Sequence, residues 1–107
     1  MSHREYEVEL DEGAQEWLRL RITTESGRVI SFTVQYETTI QGKRIAIARF
    51  DTAHGRPHFD LLDFRGRVIA KRWLPEHVGY NEALEMARAD LLANWRRYHR
   101  VSMGEPS

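Results

Sequence analysis

The hydropathy period of this chain changes once, and that change constrains the fold more than any other feature. Up to about residue 74 apolar and polar residues alternate. Tyr6, Val8 and Leu10 alternate with Glu5, Glu7 and Glu9; Leu18, Leu20 and Ile22 with Arg19 and Arg21; Ile30, Phe32, Val34 and Tyr36 with Ser31, Thr33 and Gln35. A period of two means strands with one face buried and one in water. After Pro75 the period becomes helical, and Leu84, Ala87, Leu91, Trp95 and Tyr98 fall on one face. Asn81 is the expected N-cap, Glu82 and Glu85 suit the helix N-terminus, and Arg96, Arg97, His99 and Arg100 suit its C-terminal end. The predicted class is α+β: an antiparallel five- or six-stranded meander sheet packed against one long C-terminal helix.

The turns are legible as well. Glu25-Ser26-Gly27 suits a three-residue hairpin loop that pairs Thr24 with Arg28, Ile22 with Ile30 and Leu20 with Phe32. Gln41-Gly42 and Arg65-Gly66 are expected tight turns, because glycine tolerates positive φ. Strands then follow over about 44–52, 58–64 and 67–74. No repeat or Pro/Gly-rich linker divides the chain, so residues 1–101 are expected to form one domain and 102–107 a tail.

Composition narrows the function classes. No cysteine is present, which excludes a disulfide framework and every thiolate metal site. No apolar run is long enough to span a bilayer, and the acidic first twenty residues lack the apolar core of a secretory signal. A cytoplasmic location, no membrane and no resident cofactor are therefore expected. Sixteen Lys and Arg balance sixteen Asp and Glu, but unevenly. Residues 1–16 carry −5, residues 17–75 carry +6 and residues 76–107 carry −1. If the first two strands are neighbours, the glutamate row meets Arg19 and Arg21 as a charge ladder. A local basic site for an anion then remains compatible with the neutral total.

One stretch is chemically dense: Arg49-Phe50-Asp51-Thr52-Ala53-His54-Gly55-Arg56-Pro57-His58-Phe59-Asp60. Pairing Asp51 with His58 makes Arg49 face Asp60 across a six-residue loop, Thr52 to Pro57, with both pairs charge-complementary on one face. Three readings are open. The first is acid–base work at a phosphodiester, with Asp51–His58 as the oriented base, His54 as the acid and Arg49 or Arg56 as the phosphate clamp. The second is a metal held by Asp51, His54, His58 and Asp60. The third is structural: the same pairs lock the register of the hairpin. The residues leave open whether the chain is an enzyme.

Other residues have two readings each. Trp73, Trp95 and Tyr98 suit either base stacking or a core. Trp17 shares the polar face with Arg19 and Arg21 and is either an RNA or protein contact or a rim residue covered by a neighbouring segment. Ile45 and Ile47 share the parity of Arg49 and Asp51, which places them on the outer face and suggests an interface or a homodimer.

The R-x-D-x-x-H-G-x-P-H-x-D pattern at residues 49–60 resembles a family of short bacterial proteins of uncharacterised function that carry this core before a C-terminal helix. It is also distantly similar to the TumE-like toxins of bacterial toxin–antitoxin pairs, matching them at Arg49, Asp51, His54 and His58. Phe50, Thr52, Gly55 and Asp60 depart from the toxin pattern of Trp, Asn, His and His. The toxin resemblance implies a small toxin-like domain with an antitoxin protein partner and RNA as substrate. The alternative reading is a non-catalytic, self-associating interaction module in which the 49–60 cluster is structural.

Overall fold

The alternating segments become six antiparallel strands, each hydrogen-bonded to its neighbours in sequence. A computed structural model describes residues 1–13 and 15–105. The elements are β1 (Ser2–Asp11), β2 (Glu16–Glu25), β3 (Arg28–Ile40), β4 (Lys43–Asp51), β5 (His58–Leu62), β6 (Val68–Trp73) and the helix α1 (Tyr80–Ser102), with a 3-10 turn at Ala53–Gly55 between β4 and β5. Connections this short cannot carry a strand past its neighbour, so the order in space is the order in sequence.

A recurrent device sets which residues face inward: four of the five hairpins carry a register shift. At the β2–β3 turn both Ser26 (φ 51) and Gly27 (φ 78) adopt positive φ. That makes a two-residue turn closing Glu25 onto Arg28, not the three-residue loop expected from the sequence. Two successive residues at positive φ match the right-handed twist of the strands. Continued unbroken, this register would set apolar against polar side chains. The shift between Thr23 and Thr24 corrects it, and Ile22 faces Phe32 while Leu20 faces Val34. The β3–β4 hairpin repeats the solution, with Gln41 (φ 51) and Gly42 (φ 79) in the turn and a shift between Tyr36 and Glu37.

The second shift overturns the expected position of Ile45 and Ile47. Ile47 is the extra residue of the bulge, so alternation reverses on its N-terminal side. Ile47 is 0% exposed and belongs to the core, and Ile45 packs against that core. Neither lies on an outer face. We expect Ile47→Ala to lower stability by about 2–5 kcal/mol in urea unfolding; unchanged stability with weakened self-association would restore the interface reading.

One face of the sheet is covered by α1, which lies against β3, β4 and β5. Leu84, Ala87, Leu91, Trp95 and Tyr98 are all buried, as the spacing predicts. Trp95 meets Tyr36 with ring centroids 5.6 Å apart, and Tyr98 meets Phe59 at 5.1 Å. The N-cap is Gly79 and not Asn81. The helix starts earlier because Asn81 Oδ1 is engaged elsewhere: it accepts the backbone N–H of Val29 at 3.1 Å, tying the helix to β3 beside a bulge. Of the tail expected over 102–107, Ser102 closes the helix and is buried, and Met103 packs partly against the core. Pro106 and Ser107 lie outside the described residues.

Under the helix C-terminal end sits a buried carboxylate, Glu16. Tyr36 donates to its Oε2 at 2.8 Å and Thr38 to its Oε1 at 2.6 Å. His99 Nδ1 stands 3.3 Å from Oε1 and 3.2 Å from the Tyr36 oxygen. Tyr98 donates in the same way to Asp90. Burial first, and the carboxylate partner second, push both phenols up, Tyr98 to about 12. An unfolded tyrosine ionises near 10, so the unfolded chain loses these protons first. The contribution is complete below about pH 10 and is lost as pH rises toward about 12. Stability measured by urea unfolding should fall across that window, and less steeply in Tyr98→Phe; equal slopes would refute the assignment.

Candidate functional site

The face away from the helix carries two rows of side chains that run across all six strands. One is Glu5, Arg21, Thr33, Asp51, His58 and Trp73; the other is Glu7, Arg19, Gln35, Arg49, Asp60 and Lys71. The register expected from the sequence, Asp51 opposite His58 and Arg49 opposite Asp60, is the one observed. The expected ladder also forms. Arg21 reaches Glu5 at 3.3 Å, while Arg19 lies 4.0 Å from Glu5 and 3.7 Å from Glu37. Arg44 joins it by binding Glu7 and by approaching Glu37 at 3.0 Å. Its guanidinium lowers the Glu7 carboxyl below the usual range and is itself raised by that contact. Arg44 also lies 4.0 Å from the Trp17 ring centroid, so a side chain from β4, two strands away, reaches over this tryptophan.

At the 49–60 hairpin the structure joins Asp51, His58 and Asp60. His58 is 4% exposed. Its Nε2 stands 3.3 Å from Asp51 Oδ1 and 3.6 Å from Asp60 Oδ2. Its Nδ1 is 3.0 Å from the Arg56 carbonyl oxygen, which can only accept, so this nitrogen donates. The ring packs on Trp73 at 4.9 Å. Asp51 Oδ1 also accepts the Ala53 N–H at 2.9 Å, and Asp60 Oδ1 meets Lys71 Nζ at 2.8 Å.

The two arginines turn to other partners. Arg49 faces Asp60 in register, yet its Nε donates to Gln35 at 2.7 Å. Arg56 donates twice to the Leu74 carbonyl, at 3.1 and 3.0 Å, and approaches Glu76 at 3.6 Å. It thereby fastens the loop to the segment that leads into α1. Tyr80 of the helix donates to the Gly55 carbonyl, and Thr52 Oγ1 accepts the Phe32 N–H at 3.0 Å. His54 stands exposed in the turn at φ 68, outside the Asp51–His58–Asp60 set. Among the described residues no group of three or more His, Cys, Asp or Glu is arranged to hold a metal ion.

Sequence reasoning missed Lys71 and Gln35 as partners. Lys71 reaches Asp60 only because a shift between Leu61 and Leu62 sets the parity of β6, and no residue type announces that shift. Two shallow depressions lie elsewhere. One, of about 280 Å³, is lined by His3, Arg4, Glu5, Arg21, Ile22 and Thr23; the other, of about 270 Å³, by Leu61, Ala70, Arg97, Tyr98 and Val101.

Fold and site together define a small α+β domain with one sheet face covered by a helix and one left as a charge-paired surface. A family profile described as Domain of unknown function (DUF7718) matches residues 1–102, and the chain belongs to that family. No curated protein and no solved structure matches it. No helix among the described residues is long and apolar enough to cross a membrane.

Because His58 is buried among polar partners, His58→Ala should cost about 1–3 kcal/mol in urea unfolding. Arg49→Ala removes one partly exposed hydrogen bond and should cost about 1 kcal/mol or less. A His58→Ala protein of wild-type stability would contradict this reading of the cluster.

Proposed function

We propose that this domain is a non-catalytic interaction module that binds an extended, acidic segment of another protein along the edge strand β6. The observation that carries the reading is that every residue of β6 is exposed, including Val68, Ile69 and Trp73. An edge strand offers unpaired backbone groups and is ordinarily guarded by outward-pointing charge. Here the cations turn back onto the domain: Lys71 to Asp60 and Arg72 to Asp90, the latter at 3.4 Å. The strand keeps its apolar side chains in water, with exposed Arg65 just ahead of it, while Arg67 is ion-paired to Asp63 at 3.0 Å. The opposite edge, β1, is acidic instead, with Glu5 and Glu7 ion-paired to Arg21 and Arg44, and Glu9 beyond them.

The engagement of the hairpin supports the same reading. Phosphate or RNA chemistry by His58 and Arg56 requires them to leave the partners that hold the loop, and Arg49 is already engaged by Gln35. Addition of an extended segment to β6 requires no rearrangement, since main-chain hydrogen bonds supply affinity and alternate side chains supply specificity.

The test is selection from a displayed library of ten-residue peptides rich in acidic and apolar residues. Selected peptides should protect β6 amides from hydrogen exchange and lose binding to Ile69→Pro. Peptides that protect no β6 amide would reject the proposal. So would cleavage of a test RNA that is lost in both His58→Ala and His54→Asn, the latter chosen because asparagine tolerates positive φ; that result would replace it with the toxin-like reading.

A further inference from the structure

The outer face of α1 carries a pattern that the sheet does not use. Glu82, Met86, Ala89, Ala93, Arg96 and Arg100 are spaced four, three, four, three and four residues apart, and all are exposed. That is the seam spacing of a paired helix. It lies opposite the buried stripe of Leu84, Leu91 and Tyr98. Met86 stands in water on this seam, 41% exposed, and Leu92 stands on its flank, 52% exposed.

The chemistry along the seam is graded. Its N-terminal end is acidic, its centre apolar or small, and its C-terminal end basic. We infer that this face pairs antiparallel with the same face of a second copy of this chain. A twofold axis near residue 91 sets Glu82 against Arg100 of the second copy, Met86 under the stem of Arg96, and Ala89 against Ala93. Parallel pairing would instead place Glu82 on Glu82 and Arg100 on Arg100, which like-charge repulsion disfavours. Alanine at the two central positions lets the helix axes approach to the lower end of the usual spacing, about 8 Å.

One seam residue, Arg96, and one beside the seam, Glu85, already have partners in their own chain. Glu85 lies 3.6 Å from Arg88, and Arg96 stacks 4.3 Å from the Trp95 centroid. The orientation therefore rests on Glu82 and Arg100. The sheet already holds α1 helical, so pairing does not have to order it. The β6 edge stays free in such a dimer, and the inference does not depend on the binding proposal above.

The experiment is sedimentation equilibrium over a wide concentration range, with circular dichroism to confirm folding. Wild type should dimerise. Glu82→Arg alone and Arg100→Glu alone should each weaken the dimer by about tenfold or more. The double variant restores opposite charges across the axis and should recover most of the loss. As the chain has no cysteine, the Ala89→Cys/Ala93→Cys variant should form a disulfide-linked dimer readily, because Ala89 faces Ala93 across the axis. Glu82→Cys should not, because its twofold mate lies about 27 Å away along the helix. A protein monomeric at every concentration, a dimer indifferent to the single reversals, or a double variant as weak as the singles would overturn the inference. Ile69→Pro leaves this equilibrium unchanged if the two surfaces are separate; a dimer lost in Ile69→Pro but not in the charge reversals would place the second copy on β6 and overturn the helix pairing.

Discussion

The structure depends on parity. A strand residue faces the helix or the open side according to whether the count from its turn is odd or even, and a one-residue bulge beside the turn resets that count. In the β2–β3 and β3–β4 hairpins a two-residue turn with both residues at positive φ delivers the wrong parity, and the adjoining shift corrects it. The β5–β6 hairpin carries a similar shift between Leu61 and Leu62. Without these corrections Phe50 would leave the core and Arg49 would enter it. The two rows that cross the open face, and the assembly of Asp51, His58 and Asp60, follow from the corrected count.

Much of this was legible in the residues. Alternation located the strands, the change of period at Pro75 located the helix, and the Leu84-to-Tyr98 spacing identified its buried face. The Asp51–His58 register could be chosen because the neighbouring register disperses the polar set and the next sets two aspartates together. The bulges were not legible. They are backbone events with no residue type of their own, so alternation alone places Ile45 and Ile47 on the wrong face and makes the β2–β3 loop one residue too long. Side-chain destinations were harder still. Arg49 has Asp60 opposite it but Gln35 within better reach. Glu16, counted with the acidic arm, proves to be a buried acceptor for Tyr36 and Thr38. Asn81 answers Val29 across the fold where a local cap was expected.

The distribution of partners separates structural from available groups. The densest polar stretch of the sequence is closely engaged within the fold. His58 has a carbonyl on one nitrogen and two carboxylates near the other, and Arg56 clamps Leu74. The contacts of His58 with Arg56, Asp51 and Asp60 close the hairpin on itself, Lys71 and Trp73 join it to β6, and Arg56 joins it to the segment entering α1. What the domain leaves open is chemically plainer: the β6 edge and the outer seam of α1. These lie on different elements, so one domain has room for both a bound segment and a second copy of itself.

The central claim is that Asp51 and His58 hold each other as a structural pair. A double-mutant cycle of Asp51→Ala and His58→Ala, read by urea unfolding, tests it most directly. The account requires the two effects to be non-additive, with a coupling of about 0.5–3 kcal/mol. Strictly additive effects would contradict it and return His58 to the list of groups free for chemistry.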